Sequence, residues 1–522
     1  MITFDEYKER LLKMKPNIWI GGEKVGRDDP RVEPGMMILR ETFDRAHDKK
    51  FKDLCTATSH LTGETINRFT HIHQTVDDLY KKQRMTRVLC HRCGGCIQRC
   101  MGIDALNAVS VITYECDQAL GTTYNKNFLK FLENFQKKDM AASCASTDAK
   151  GDRSKRPSQQ ENPDAYVRVV ENRSDGIVVR GAKQCITNTP YVDEIISVPC
   201  RMLFPDDKDY CISFAIPADW DNVKLLARPA YTHIPKGVPD DMIPPTMKLG
   251  DCETFVIFDD VFIPKERIFL NASEDEKQVP YGGFLALMFA HYHRHSYTGC
   301  KPAMSEILAS AAALAAEYNG IENKTHVKDK ISHIIGTAEL VFAAGESAAL
   351  HSEKSPSGTM IPDEILTNAG RRYAGEQIYE EFKMVADIGG GLIATMPYLE
   401  TFFDEEVGPL ALKYMKRNPM IPEMNMVKLF KGLEVLIASD IAGLLQVAGL
   451  HGGGSPQMET IAMMGRYDVE KLKDIAKYLF GITRRLKPYE RSLSPVTPRK
   501  LLKNFAISLK AQKAKEESEK KE

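Results

Sequence analysis

The chain has 522 residues, enough by length for about three domains around a large buried core. Its 70 Lys and Arg against 71 Asp and Glu leave a formal net charge of -1, which excludes a global field that would draw nucleic acid or an anionic membrane. The first residues, MITFDEYKERLLKMKP, are charged throughout and no apolar run is long enough to span a bilayer, so a cytoplasmic protein with no nucleic-acid or membrane partner is expected, its cysteines mostly reduced.

Residues 1–145 read as a helical domain. It comprises DEYKERLLKM, the region from Met36 to Ala57, and a polar run, HLTGETINRFTHIHQTVDDLYKKQRMTRVL, that leads into a cysteine cluster. Within that run Thr65, Asn67, Arg68, His71, His73 and Gln74 fit either a solvated helix face or a surface turned to a substrate. The cluster packs Cys90, Cys93, Cys96 and Cys100 into eleven residues with the C-x2-C-x2-C-x3-C spacing of bacterial ferredoxins, although Met101 stands where proline usually follows. Soft thiolates so dense point to iron–sulfur or zinc before disulfides; packing as small hydrophobes is the plain alternative. Gly94 and Gly95 are poor helix interior, and the apolar spacing after them predicts a helix carrying Cys96 and Cys100 on one face, with Cys90 and Cys93 on the approach. Two thiols on one face leave a four-iron cluster two ligands short. Seven further cysteines, outside this motif and Cys300, are scattered and read as structural.

Near Ser146 the texture changes to STDAKGDRSKRPSQQENPDA, a loop or junction. Short β-branched segments follow, among them AYVRVV, DGIVVRGAK, EIISVP and ETFVIFDDVFIP, without alternating long helices, and predict an antiparallel β domain over 146–275 rather than a doubly wound sheet. Four long amphipathic runs then predict an antiparallel helical bundle over 276–485. The extension 486–522 ends in KAQKAKEESEKKE, whose low apolar content predicts partial disorder.

The third region opens with FAHYHRHSYTGCK. His291 and His295 are four apart, as in helical zinc sites, but the glutamate of H-E-x-x-H is missing. His293 and Cys300 are seven apart, roughly 10 Å along a helix, too far to chelate one small ion but not to grip different irons of a cluster; by spacing alone a lone histidine is more often a packed or surface residue. Gly389, Gly390 and Gly391, and the turn His451 to Gly454, let backbone approach a ligand or simply cap helices. Neither is a Rossmann fingerprint.

The segments TGETINRF, CIQRCMGIDALNAV, STDAKGDR, DGIVVRGAK, FDDVFIPKERIF, YHRHSYTGCK, ADIGGGLIATMP and HGGGSPQ together resemble the 4-hydroxybutyryl-CoA dehydratases, which belong with the flavin-dependent 4-hydroxyphenylacetate 3-hydroxylases, as far as about residue 465. The resemblance implies an α+β, acyl-CoA dehydrogenase-like fold in a homotetramer, with FAD and a 4Fe-4S cluster as cofactors and an acyl-CoA as substrate. It assigns the cluster ligands to Cys96, Cys100, His293 and Cys300, leaving Cys90 and Cys93 as extras. It places flavin contacts at Ser146, Thr147, Asp148, Lys150, Gly151, Asp152 and Arg153, at Cys185, Ile186 and Thr187, and at Asp387, Gly389, Gly390 and Gly391, and active-site roles at Glu253, Tyr297, Lys301 and His293.

The implied reaction removes water from a hydroxyacyl thioester by a radical route, with a C2 proton and then one electron removed so that the unactivated C3 proton becomes acidic. An enoyl-CoA isomerase activity accompanies it. One departure stands out: the dehydratases carry a glutamate shortly before the HGxGSP turn, and its counterpart here is Ala448, which points to a divergent paralogue with a different acyl-CoA. Two other readings compete, a two-component flavin monooxygenase of the 4-hydroxyphenylacetate 3-hydroxylase type and a non-enzymatic, ferredoxin-like electron carrier using Cys90, Cys93, Cys96 and Cys100.

Overall fold

The structure, a computed structural model, describes residues 1–486 and 491. The expected disordered extension therefore lies, but for Leu486 and Arg491, outside the described residues. Among the described residues no single helix is long and apolar enough to cross a membrane.

Local signals start and stop the helices. Thr3 caps Phe4–Leu12 and Thr75 caps Val76–Cys93, each in a reciprocal box with the acidic residue three positions on. Val76–Cys93 ends at Gly94, whose φ of +66° is the left-handed conformation that glycine adopts without a Cβ penalty. The following helix, Cys100–Leu120, is buried along almost its whole length and so lacks a polar face.

Two sheets face each other. The larger runs Glu23–Val25, Ile18–Ile20, Val223–Tyr231, Gly250–Pro264, Gly176–Thr187, Arg168–Arg173, and the smaller Ile268–Asn271, Ile212–Pro217, Glu194–Ser197, Ala142–Ala145. Their inner faces share one core, where Phe214 of the smaller sheet meets Phe258 of the larger edge to face at 5.5 Å.

This corrects two expectations. Residues 1–145 are not wholly helical, since they lend strands to both sheets, and neither sheet is wholly antiparallel: Ile18–Ile20 runs parallel to Val223–Tyr231, and Ala142–Ala145 parallel to Glu194–Ser197. Strands of three and four residues are too short to show a period of two, so pairing with a distant strand decides them.

The bundle is built on Val279–Asn319, Thr325–Leu350 and Glu364–Gly389, with Glu423–Ala438, Asp440–His451 and Pro456–Arg466 beyond. Val279–Asn319 is long enough to pack on its bundle partners and also on Val76–Cys93 and Cys100–Leu120. Gly299 permits the contact with Val76–Cys93: a Cβ there would run into the Gln83 carbonyl and the Thr86 side chain of that helix. Cysteine segment and histidine segment thereby meet.

Candidate active site

Cys96 does not share a helix with Cys100. Residues 94–99 form a loop and the helix begins at Cys100, while Cys90 and Cys93, expected on an approach, lie in the last turns of Val76–Cys93. The loop is held from the β side: Gln98, at φ +59°, receives Asn188 Nδ2 on its carbonyl at 3.1 Å and the Tyr191 hydroxyl on Oε1 at 2.6 Å. Gln98 N in turn donates to Cys96 Sγ at 3.4 Å. That bond and a stronger one from the Cys100 thiol hold the Cys96 thiol below its ordinary pKa, while the reciprocal bond and burial push Cys100 well above. A small cavity opens beside Cys96, lined in part by Gly95, Leu249, Asp251, Ile441 and Leu445.

The long helix supplies the other face. His293 stacks on Phe289 (5.7 Å) and meets Tyr297 edge to face (5.1 Å), its neighbours one turn away on either side. Its Nδ1 lies 2.9 Å from Asp104 Oδ2, and ligand atoms of Cys100, Asp104 and His293 lie within 4.8 Å of one another. Cys300 sits in the same small core as Cys90, Cys93 and Cys100. Cys93 Sγ donates to Leu89 O at 3.0 Å, within its own helix. His291 and His295 do not form a metal pair: each ring contacts a carbonyl, Pro362 O at 2.6 Å and Gly345 O at 3.2 Å. The polar block over 65–74 is not a solvated helix face either. Asn67, Arg68, His71 and His73 are buried, and Arg68 and His71 converge on Asp78 at 3.1 and 3.2 Å.

On the sheet side, the segments 146–153 and 185–187 lie against one another. Asp148 bridges to Lys183, and Gln184 N donates to Thr147 O at 2.8 Å. Asp148 is buried and paired to Lys183 at 2.9 Å, and Lys183 also donates to Ser146 O and Val198 O. Gly151, Asp152, Arg153 and Cys185 are exposed, Lys150 is half-buried and Ile186 is buried. Lys150, Gly151 and Cys185 take positive φ, which bends the two segments away from the regular ladder. Thr187 pairs across the strands with Glu253 and donates to Oε1 at 2.7 Å. Burial pushes the Glu253 carboxyl up, and its Oε2 is buried without a hydrogen-bond partner.

Lys301 is buried beside Glu381 Oε2 at 2.6 Å, with Ser305 donating to Oε1 at 2.5 Å; burial holds the ammonium below its usual pKa against that pairing. The Tyr297 hydroxyl donates to Ala448 O at 2.8 Å. The glycine turn after Ala448 is clamped over this helix, Arg371 donating to Gly452 O at 2.8 Å and Arg294 to Gly453 O at 2.8 Å. Gly452 is required, because a Cβ there would collide with the Tyr297 hydroxyl. Glu459, fully buried 3.7 Å from Arg371 Nε and 4.0 Å from Arg294 Nε, offsets both charges. The other glycine turn stands at the end of Glu364–Gly389, with exposed Asp387 paired to Lys330 at 2.8 Å and Gly390 at φ +75°.

Asp104, Gln98, Arg371 and Glu459 were not legible as site residues. Asp104 carried a usable signal, four positions after Cys100 on a helix. The others sit in ordinary contexts that only the packing makes special.

Residues 3–270 match the model of the 4-hydroxyphenylacetate 3-hydroxylase N-terminal region, and residues 283–481 that of its C-terminal region. The chain belongs to this family. Within it, the chain falls among the 4-hydroxybutyryl-CoA dehydratases: it is 36% identical over 493 residues to the 4-hydroxybutyryl-CoA dehydratase/vinylacetyl-CoA-Δ-isomerase of Clostridium aminobutyricum, covering 92% of this chain and all of that one. A solved oxygen-tolerant archaeal 4-hydroxybutyryl-CoA dehydratase from N. maritimus superposes with a TM-score of 0.87 at 33% identity, over 94% of this chain and 97% of that one. The oxygenase component of 4-hydroxyphenylacetate 3-monooxygenase, solved with FAD and 4-hydroxyphenylacetate, shares the fold with a TM-score of 0.79 at 22% identity, over 92% and 99% of the two chains.

Proposed function

We propose that this protein is a hydro-lyase that uses FAD and a 4Fe-4S cluster to dehydrate 4-hydroxybutyryl-CoA or a related hydroxyacyl-CoA, with enoyl-CoA isomerisation at the same site. The observation that carries it is the convergence of Cys100 and His293, from segments 193 positions apart, in a chain 36% identical to a dehydratase over that enzyme's whole length. Three soft thiols and one imidazole suit iron–sulfur rather than a hard cation. Cys96 and Cys300 stand outside the tight group of Cys100, Asp104 and His293, as donors to different irons would, since a single ion needs its ligands closer.

FAD fits the neighbouring surface. The segments 146–153 and 185–187 lie against one another, and beside Thr187 the buried Oε2 of Glu253 lacks a partner that a bound group would supply. When bound, the two cofactors supply one-electron chemistry and a Lewis acid for the departing hydroxyl. The chain's own residues handle protons. Glu253, its carboxyl raised by burial and its Oε2 unpartnered, is suited to take or return one. His293 Nε2 would be a second acceptor only while it is not bound to iron. Tyr297 and Lys301 are fixed by Ala448 O and Glu381, so they orient rather than wander. The homotetramer is taken from the family resemblance, with a second copy completing the flavin site through Gly389 to Gly391 and covering exposed Tyr398, Tyr414 and Met420, at 80, 77 and 85%.

Anaerobically purified protein tests this. Flavin bands with broad iron–sulfur absorption, about four irons, and turnover of a hydroxyacyl-CoA are expected; flavin alone would favour a monooxygenase. Cys100→Ala and Cys300→Ala should lose iron and sulfide, and Cys93→Ala should keep them. Loss of the cluster in Cys93→Ala with its retention in Cys300→Ala would restore the ferredoxin-like reading.

A further inference from the structure

Asp104 lies one turn beyond Cys100 and is fully buried. Lys82, itself buried, donates to Oδ1 at 2.7 Å and to Tyr292 O at 2.9 Å. Ser296 Oγ lies 2.9 Å from Oδ1 and 2.8 Å from Oδ2, and His293 Nδ1 lies 2.9 Å from Oδ2. Both carboxyl oxygens are therefore engaged by groups of the chain. An ionised carboxylate paired to Lys82 only accepts, so the hydrogen between Asp104 and His293 sits on Nδ1. A neutral imidazole protonated on Nδ1 has its lone pair on Nε2.

From this arrangement we propose that Asp104 is the positioning residue of the imidazole ligand. It selects the tautomer that offers Nε2 to iron, and with the rings of Phe289 and Tyr297 it fixes the orientation of His293. Lys82 and Ser296 anchor Asp104 in turn. Asp104 is not itself a fourth or fifth ligand, because coordinating iron would mean giving up buried bonds to Lys82 or Ser296. Nor is the arrangement a generic buried ion pair: His293, Ser296 and the Tyr292 carbonyl all come from one stretch of the long helix, so the network fixes that stretch against the start of the cysteine helix.

This inference rests on the cluster reading above, and the experiment separates the two. Wild type, Asp104→Asn and the charge-balanced Lys82→Met/Asp104→Asn are reconstituted with iron and sulfide, the double variant guarding against an unpaired Lys82 that unfolds the single one. Iron loss to EDTA is followed, and the nitrogen hyperfine coupling of the reduced cluster is read by pulsed electron paramagnetic resonance. Both variants should release iron about 10–100-fold faster and show a changed or missing imidazole nitrogen coupling, whereas Ser296→Ala should give a smaller change. Variants that fold, hold iron and keep the wild-type coupling would overturn the role of Asp104 alone. A wild type that takes up no iron would overturn the cluster reading and this inference with it.

Discussion

Thr187 and Glu253 face each other on neighbouring strands, and the Thr187 hydroxyl donates to Glu253 Oε1 at 2.7 Å while Oε2 has no partner. Burial raises the carboxyl and the threonine bond opposes that rise. If Glu253 moves a proton in turnover, Glu253→Gln should lower kcat/KM by about 10²–10⁴-fold. Thr187→Val should be far milder and shift the acidic limb of the pH–rate profile upward, because a pKa-lowering bond is gone. An unmoved limb would mean that Glu253 does not titrate during catalysis.

Lys301 and Glu381 form a buried pair at 2.6 Å. Glu381→Ala strands the ammonium and should cost about 3–5 kcal/mol in stability, seen as a lower unfolding midpoint. Lys301→Met/Glu381→Leu should recover most of that stability. If Lys301 acts in the active site as proposed, the double variant should stay inactive; a stable and active one would make the pair purely structural.

Ala448 stands on the helix Asp440–His451 with its carbonyl taken by Tyr297. Where the family resemblance places a glutamate, the alanine side chain cannot move a proton. Slow wild-type turnover of 4-hydroxybutyryl-CoA is expected, with Ala448→Glu gaining as much as about 10²–10⁴-fold, assayed without oxygen at matched flavin and iron content. Robust wild-type turnover would show that other groups compensate and that the substrate has not diverged.

Glu194 is buried in the smaller sheet with Arg267 Nη1 at 3.0 Å, and burial lifts its carboxyl from 4.5 to about 7. The folded state therefore holds a proton that the unfolded chain has released between those values, and this residue's contribution to stability falls as pH rises from 4.5 through 7. Glu194→Gln removes that dependence. Urea unfolding at pH 5 and pH 8 should show the variant gaining on wild type at the higher pH by about 1–3 kcal/mol; equal differences at both would refute it.

By itself the sequence determined the coarse order of helices, sheet and bundle, because long amphipathic runs and β-branched segments carry their periods locally. Its many short segments together also sufficed to place the chain in its family. It could not show that Ile18–Ile20 and Ala142–Ala145 are strands, since three or four residues have no period and a distant parallel partner decides them. Nor could it place Cys96 in a loop, because that depends on Asn188 and Tyr191 gripping Gln98 from the sheet. Spacing alone leaves Cys100 and His293 in two separate motifs, and the family resemblance is what groups them. The packing of the long helix on Val76–Cys93, made possible by Gly299, and Asp104 held between Lys82, Ser296 and His293 show how they meet in one site. Burying the Asp104 carboxylate is costly unless its oxygens find donors, and those donors come from segments that no local pattern connects.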